Sequence, residues 1–194
     1  MTVPTKLSFL RIALAFLVFS LLMVPGLPAK AAALVCFLIA SLTDWLDGWL
    51  ARRWNQVSSL GALLDPIADK ILVLGTFLAF VQLELIPAWM VLVIMVRELL
   101  ITGVRLFAAS RAVVLSAARE GKNKTVSQML TIAVVLVVIL IREYYGAAGV
   151  PQAMERHLMD IVLGCMWVTV VLTIVSGASF FWRHRLVLWE TVSR

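Results

Sequence analysis

The sequence predicts an all-α integral membrane protein with six transmembrane helices, and three observations predict it. Hydrophobic residues make up 62% of the 194-residue chain and charged residues only 14%, whereas a soluble domain is about half apolar and about a quarter charged. Too little polar side chain remains to cover a soluble surface, and the mean hydropathy is +1.01. The apolar residues gather into six stretches, each near the roughly 20 residues a helix needs to cross a bilayer. The basic residues between them fall mostly on one side, as the positive-inside rule requires.

In chain order the spans cover about residues 7–24, 29–51, 60–81, 87–109, 125–145 and 158–182. Pro25, Gly26 and Pro28 separate the first from the second. Glu84, Ile86 and Pro87 mark the turn into the fourth. A polar stretch from Tyr144 to Arg156, containing Pro151, separates the fifth from the sixth, and the last dozen residues form a short polar tail. The valine-rich run 133–141 stays helical, because hydrocarbon demands backbone bonds satisfied within the segment. No internal repeat or low-complexity linker interrupts the chain, so it is expected to form one membrane-embedded domain, 1–194. Cys36 and Cys165 lie far apart in apolar runs and read as small buried hydrophobes rather than a disulfide.

Charge sets the orientation. With both termini on one side, that side collects Lys6, Arg11, Arg52, Arg53, Lys70, Arg105, Arg111, Arg119, Lys122, Lys124, Arg183, Arg185 and Arg194, and leaves Lys30, Arg142 and Arg156 opposite. Both termini therefore face the cytoplasm. Trp54, Trp89, Trp182 and Trp189 fall near span ends, where aromatic belts form. The formal net charge of +6 comes from these loops, and no basic-aromatic groove pattern points to nucleic acid. An alternative reads Lys6, Arg11 and the following apolar run as a secretory signal, cleaved near Pro28–Ala31. It would leave five spans.

The chemistry concentrates in one segment. Asp44 and Asp47 are three residues apart and share a helix face, as do Asp65 and Asp69, four apart. A short loop joins the cytoplasmic end of the second span to the start of the third, which makes these helices antiparallel neighbours and brings both pairs to one site. Four carboxylates in one membrane-edge pocket cannot all stay ionised and unpaired. Protonation, basic partners or divalent cations can each resolve the conflict. All-oxygen ligands favour Mg²⁺ or Mn²⁺, and four carboxylates suit two such ions, the arrangement that stabilises an in-line phosphoryl displacement. Gly48 and Gly61 let a ring or phosphate approach the backbone, or serve close helix packing. Arg52 offers a planar fork for phosphate oxygens, or snorkels at the interface.

Asp44, Asp47, Gly48, Ala51, Arg52, Gly61, Asp65 and Asp69 together resemble the signature of the CDP-alcohol phosphatidyltransferase family, D-x-x-D-G-x-x-A-R, eight residues, then G-x-x-x-D-x-x-x-D. The resemblance implies a six-helix fold and transfer of a phosphatidyl group from a CDP-activated lipid to an alcohol. It implies Asp44, Asp47 and Asp65 as metal ligands, with Asp69 as ligand and general base. It also implies Gly48, Ala51, Arg52 and Gly61 at the CDP-lipid, and a homodimer as the assembly.

Other segments resemble the bacterial branch of that family that takes glycerol 3-phosphate. They are Val3–Arg11, which would add Ser8 to the CDP-lipid site, Leu50–Gln56, Leu64–Lys70, Arg97-Glu98 and Gly121–Thr125. The chain departs at Thr2, where that branch has asparagine, and in the polar stretch 146–157. A phosphate-bearing acceptor needs a cationic site. Arg97 and Arg105 are eight apart near one face of the fourth span, and a cation inside a span is a functional candidate by default. Glu98 is a candidate partner for Arg97. Arg11, Lys122, Lys124 and Thr125 complete the expected acceptor-phosphate site, Lys122 and Lys124 lying just before the fifth span, where they also read as a solvated loop. The expected reaction joins CDP-diacylglycerol and glycerol 3-phosphate to give phosphatidylglycerol phosphate and CMP. The alternatives are the same chemistry with serine, inositol phosphate or phosphatidylglycerol as acceptor, and a divalent-cation or proton-coupled transporter. His157 and His184 receive no role.

Overall fold

The computed structural model describes the backbone of residues 3–54, 59–111 and 120–192, and side chains over 8–43, 67–111, 124–146 and 148–185. The described residues form six α-helices: α1 Val3–Met23, α2 Leu27–Trp54, α3 Ser59–Gln82, α4 Ala88–Ser110, α5 Glu120–Tyr145 and α6 Gln152–Val192. A 3-10 turn, Gly146–Ala148, links the last two. Among the described residues no strand occurs.

The helices outrun the apolar stretches that predict them. α6 has 41 residues and spans about 60 Å at 1.5 Å per residue, so the expected polar tail is helical through Val192. The expected loop before it shrinks, because α6 already begins at Gln152. α5 begins at Glu120, so Lys122 and Lys124 belong to the helix rather than to a loop ahead of it. The physical reason is common to all three. Hydropathy marks the apolar length of a helix, whereas its hydrogen bonds continue through Lys, Arg, Glu and Gln, which are good helix formers.

α1 packs against both α2 and α3, α5 against α2 and α6, and α4 against α6 and α3. Over the described residues α2 and α3 share little direct contact. The expectation of antiparallel neighbours concerns the joined ends, 44–66, whose side chains lie outside the described residues, and over the remainder α1 packs beside each helix. The apolar core runs through Val18, Leu22, Phe37, Leu72, Phe77, Phe80, Met90, Ile94, Ile132, Leu136 and Met166. Polar side chains share that interior, among them Ser8, Arg11, Glu98, Lys124, Gln128, Thr131, Thr169, Thr173 and Ser176. Leu, Val, Ile, Phe and Trp side chains meanwhile cover the outside of α1, α2, α4, α5 and α6. Such a surface suits lipid, not water. Two stretches, Lys124–Tyr145 and Gln152–Arg185, are long and apolar enough to cross a membrane, and Ser8–Met23 and Leu27–Thr43 are shorter apolar helices among the described residues. Cys36 and Cys165 are free.

The end of the bundle remote from Asp69 is pinned by polar contacts. Gly26 turns the chain from α1 to α2 at φ +109°, a conformation that costs a side-chain-bearing residue dearly. Its N–H donates to Glu143 Oε1 of α5 at 2.5 Å. Lys30 Nζ donates to the Leu22 carbonyl in the last turn of α1, satisfying one of the acceptors a helix end leaves open. Arg142 meets Glu155 at 3.2 Å, tying the end of α5 to the start of α6. Glu143→Ala should lower stability by about 1–3 kcal/mol, because the N–H of Gly26 loses a charged acceptor. The midpoint of thermal unfolding in detergent measures this, and an unchanged midpoint would refute it.

Candidate active site

The signature residues lie where two helices approach the same end of the bundle. Asp44, Asp47, Gly48, Ala51 and Arg52 belong to the last turns of α2, and Gly61, Asp65 and Asp69 to the first turns of α3. Of these, Asp69 has a described side chain. The side chains of the other signature residues, and that of Lys122, lie outside the described residues.

Asp69 fixes the site within the bundle. Arg11 of α1 is 1% exposed, and its Nη1 donates to Asp69 Oδ1 at 2.6 Å, while the Asp69 side chain keeps 40% of its surface exposed. A buried guanidinium thus holds a carboxylate that still faces outward. Ser8, fully buried, lies one turn before Arg11 on the same face of α1.

The donor chemistry fits a metal. Asp69 presents an exposed carboxylate on the helix that also carries Asp65, and the other two aspartates sit in the last turns of α2. Oxygen donors of this kind take hard divalent cations. Among the described residues no three Asp, Glu, His or Cys side chains gather around one point, as three of the four aspartates fall outside them.

Beside Asp69 stands a group of cations. Glu98, buried in α4, forms ion pairs with Lys124 of α5 and with Arg97 Nη1 at 3.2 Å. Arg97 Nη2 donates to Ser176 Oγ of α6 at 2.6 Å. Gly177 makes room for this arm, since a Cβ there would stand 3.2 Å from Arg97 Cγ. The Arg105 guanidinium lies 5.4 Å over the Phe180 ring, within cation–π range. Arg97 and Lys70 lie within electrostatic reach of each other and of both Arg105 and Lys124, and Lys70 also of Asp69. Among the described residues, four cations from α3, α4 and α5 therefore face two carboxylates, Asp69 and Glu98. The surplus is positive and suits an anion.

Several expected residues come together and others do not. Arg97, Arg105 and Lys124 share the cationic group, whereas Arg11 is held by Asp69. Thr125 is exposed on the first turns of α5. Sequence reasoning missed Lys70, Ser176 and Gly177, and gave Glu98 only a pairing role, with Arg97 or with another helix, of which the Lys124 pair realises the second. The signal for Lys70 was available in its place beside Asp69. Ser176 and Gly177 carried none, because small residues in a span usually serve packing. His184, in the expected polar tail, is buried. Its Nδ1 lies 3.0 Å from the Phe180 carbonyl, and its ring stands 4.7 Å from that of Phe180.

The model of the CDP-alcohol phosphatidyltransferase family matches residues 1–182. The chain belongs to that family. It is therefore a phosphatidyltransferase, of a family that generally depends on a metal ion. A protein of Bacillus subtilis named CDP-diacylglycerol–glycerol-3-phosphate 3-phosphatidyltransferase is 36% identical over 201 residues, covering 97% of this chain and 96% of its own. One of the same name from Rickettsia typhi is 30% identical over 178 residues, covering 92% and 94%. A CMP-forming cardiolipin synthase of Streptomyces coelicolor is 42% identical over 101 residues, covering 50% of this chain and 47% of its own.

Glu98 is the shared counter-ion of Arg97 and Lys124, so Glu98→Gln leaves two buried cations without it. Removing one member of a buried ion pair costs about 3–5 kcal/mol. A fall of that size is expected in the stability of the variant by thermal unfolding in detergent. Unchanged stability would remove Glu98 from this role.

Proposed function

We propose that the chain transfers the phosphatidyl group of CDP-diacylglycerol to sn-glycerol 3-phosphate, giving phosphatidylglycerol phosphate and CMP. The observation that carries this reading is the cationic group of Lys70, Arg97, Arg105 and Lys124 beside Asp69, in a chain that matches the family over residues 1–182. An acceptor bearing a phosphate dianion needs such a group, whereas serine does not. The agreement in name of two relatives that align over more than nine-tenths of this chain supports the same acceptor.

In this reading the whole chain is one membrane-embedded catalytic domain. Its six helices cross the cytoplasmic membrane of a bacterium, with both termini and the aspartates on the cytoplasmic side. Asp44, Asp47, Asp65 and Asp69 would hold two divalent ions, Mg²⁺ or Mn²⁺. Bound there, the ions supply positive charge for the pyrophosphate and for the departing phosphate. Gly48, Ala51, Arg52, Gly61 and Ser8 line the CDP-lipid site, and Arg52 offers a bidentate fork to phosphate oxygens. Arg97, Arg105, Lys122, Lys124 and Thr125 receive the acceptor's phosphate, joined by Lys70. Arg11 positions Asp69. A homodimer is the proposed assembly.

The chemistry is one displacement at phosphorus. Asp69 takes the proton of the acceptor's terminal hydroxyl, and that oxygen forms a bond to the lipid-bearing phosphorus. The bond from this phosphorus to the oxygen of CMP breaks, and CMP departs with the electron pair. Positioning and electrostatics supply most of the rate. The donor's acyl chains stay in lipid, so the site opens sideways between helices.

Purified protein given CDP-diacylglycerol with glycerol 3-phosphate, serine, inositol phosphate or phosphatidylglycerol should form product with the first alone, identified by mass spectrometry. A product with another acceptor and none with glycerol 3-phosphate would overturn the reading. Asp69→Asn should lower kcat by about 10²–10⁴, the usual contribution of a general base, while the helical circular dichroism stays unchanged. Near-normal turnover would exclude Asp69 as the base. Chelation should abolish turnover, with Mg²⁺ or Mn²⁺ restoring it, and full activity in chelator would rule out the metal.

A further inference from the structure

Two buried side chains near the cationic group carry hydrogen-bond donors without a partner. Thr173 of α6 is 0% exposed and Gln128 of α5 is 3% exposed. Neither Thr173 Oγ1 nor Gln128 Nε2 has a partner, and the same holds for the buried Nε atoms of Arg97 and Arg105. All four atoms can donate. Thr173 departs from the pattern set by other helix hydroxyls in this chain. Ser20, Ser41, Thr76 and Thr102 each donate to the carbonyl four residues earlier, which is the ordinary recourse of a hydroxyl within a helix. A buried donor left unmade is unfavourable, and ligands or ordered water are what satisfy such groups.

The register of the helices puts both residues next to the anion-binding group. Gln128 follows Lys124 by one turn on the buried stripe of α5, and Lys124 is paired with Glu98. Thr173 precedes Ser176 by one turn on the buried stripe of α6, and Ser176 is bound to Arg97. α5 and α6 run antiparallel, since Thr169 meets both Ser127 and Thr131 at 2.8 Å and Thr131 reaches the Cys165 carbonyl. A step forward on α5 and a step back on α6 therefore lead the same way. By that register Thr173 stands about level with Lys124 and Thr125, and Gln128 stands about one helical turn beyond Lys124. Cations with one neutral donor at their own level and another about a turn farther on match a small molecule with a phosphate at one end and hydroxyls along a short carbon chain.

We propose that Gln128 and Thr173 bind the hydroxyl-bearing carbon chain of the acceptor, holding its middle hydroxyl while Lys70, Arg97, Arg105 and Lys124 hold its phosphate. This rests on the reading of the acceptor as glycerol 3-phosphate. It adds the residues that distinguish that acceptor from a phosphate without the middle hydroxyl. A hydroxyl is selected strongly only where the site would otherwise leave buried donors unpaired, and these two donors are buried and unpaired in its absence.

Gln128→Met and Thr173→Val remove the donors at nearly constant volume, and Thr173→Ser keeps the hydroxyl. For each, kcat/KM is measured with glycerol 3-phosphate and with 3-hydroxypropyl phosphate, which lacks the middle hydroxyl. Binding of glycerol 3-phosphate without CDP-lipid is read as the rise it causes in the melting temperature. The unaltered protein should prefer glycerol 3-phosphate by about tenfold or more. Gln128→Met and Thr173→Val are each expected to lose about tenfold with glycerol 3-phosphate and nothing with the analogue. Both should also shrink the rise in melting temperature, and Thr173→Ser should retain the preference. Preference kept by both variants, or an equal fall with both acceptors, would overturn the assignment and leave the two side chains to structural water or packing. An unaltered protein that uses neither phosphate but turns over another alcohol would instead overturn the acceptor reading, and this proposal with it.

Discussion

Charges set among apolar helices must find their partners inside the bundle, and the architecture follows from that constraint. An unpaired buried charge costs far more than a salt bridge at a surface yields. Here apolar side chains form both the core and the outer surface, so each buried cation has to be met by a polar group inside the bundle. Arg11 of α1 meets Asp69 of α3. Lys124 of α5 meets Glu98 of α4, and Arg97 of α4 meets Ser176 of α6. These polar contacts join helices distant in sequence, at the end of the bundle where the signature residues lie.

The same contacts connect stability to chemistry. Asp69 is both the partner of a buried arginine and an exposed carboxylate. Glu98 neutralises part of a cationic group without neutralising all of it, so Lys70, Arg97, Arg105 and Lys124 keep a net positive charge. Full pairing would favour packing and remove the attraction for an anion. Absence of pairing would make the group too costly to bury. The intermediate arrangement keeps the cations ordered through Glu98, Ser176 and the Phe180 ring, and leaves charge for a ligand. At the opposite end Lys30, Glu143 and Arg142 bind backbone groups or one another's neighbours, and these contacts join helix ends and turns.

Much of this was legible in the sequence for particular reasons. The six helices follow from apolar length, and each is present at the expected place. The spacing of Asp44, Asp47, Asp65 and Asp69 placed them in the last turns of one helix and the first turns of the next, as found for the backbone. Arg97 and Arg105 stood out because a cation inside an apolar run has few structural explanations. Helix ends were less legible, since hydropathy says nothing of how far α6 continues through Arg183, His184 and Arg185. Lateral packing was also hidden. That α1 packs against both α2 and α3 is decided by side-chain fit, which loop length does not report.

The sequence by itself determined the kind of solvent the chain is built for, the number of helices and the residues of the signature. These depend on composition and local spacing, which the chain carries without folding. The tertiary structure decided which charges meet. Glu98 could have paired with Arg97 alone, and it bridges to Lys124 because α4 and α5 come together there. Ser176 and Gly177 look like packing residues until α6 lies against Arg97. Gln128 and Thr173 look like isolated polar residues until antiparallel α5 and α6 bring them within about a turn of each other beside the cations. Ion pairing and hydrogen bonding act over a few ångströms, and only the packed bundle brings residues so far apart in sequence within that distance.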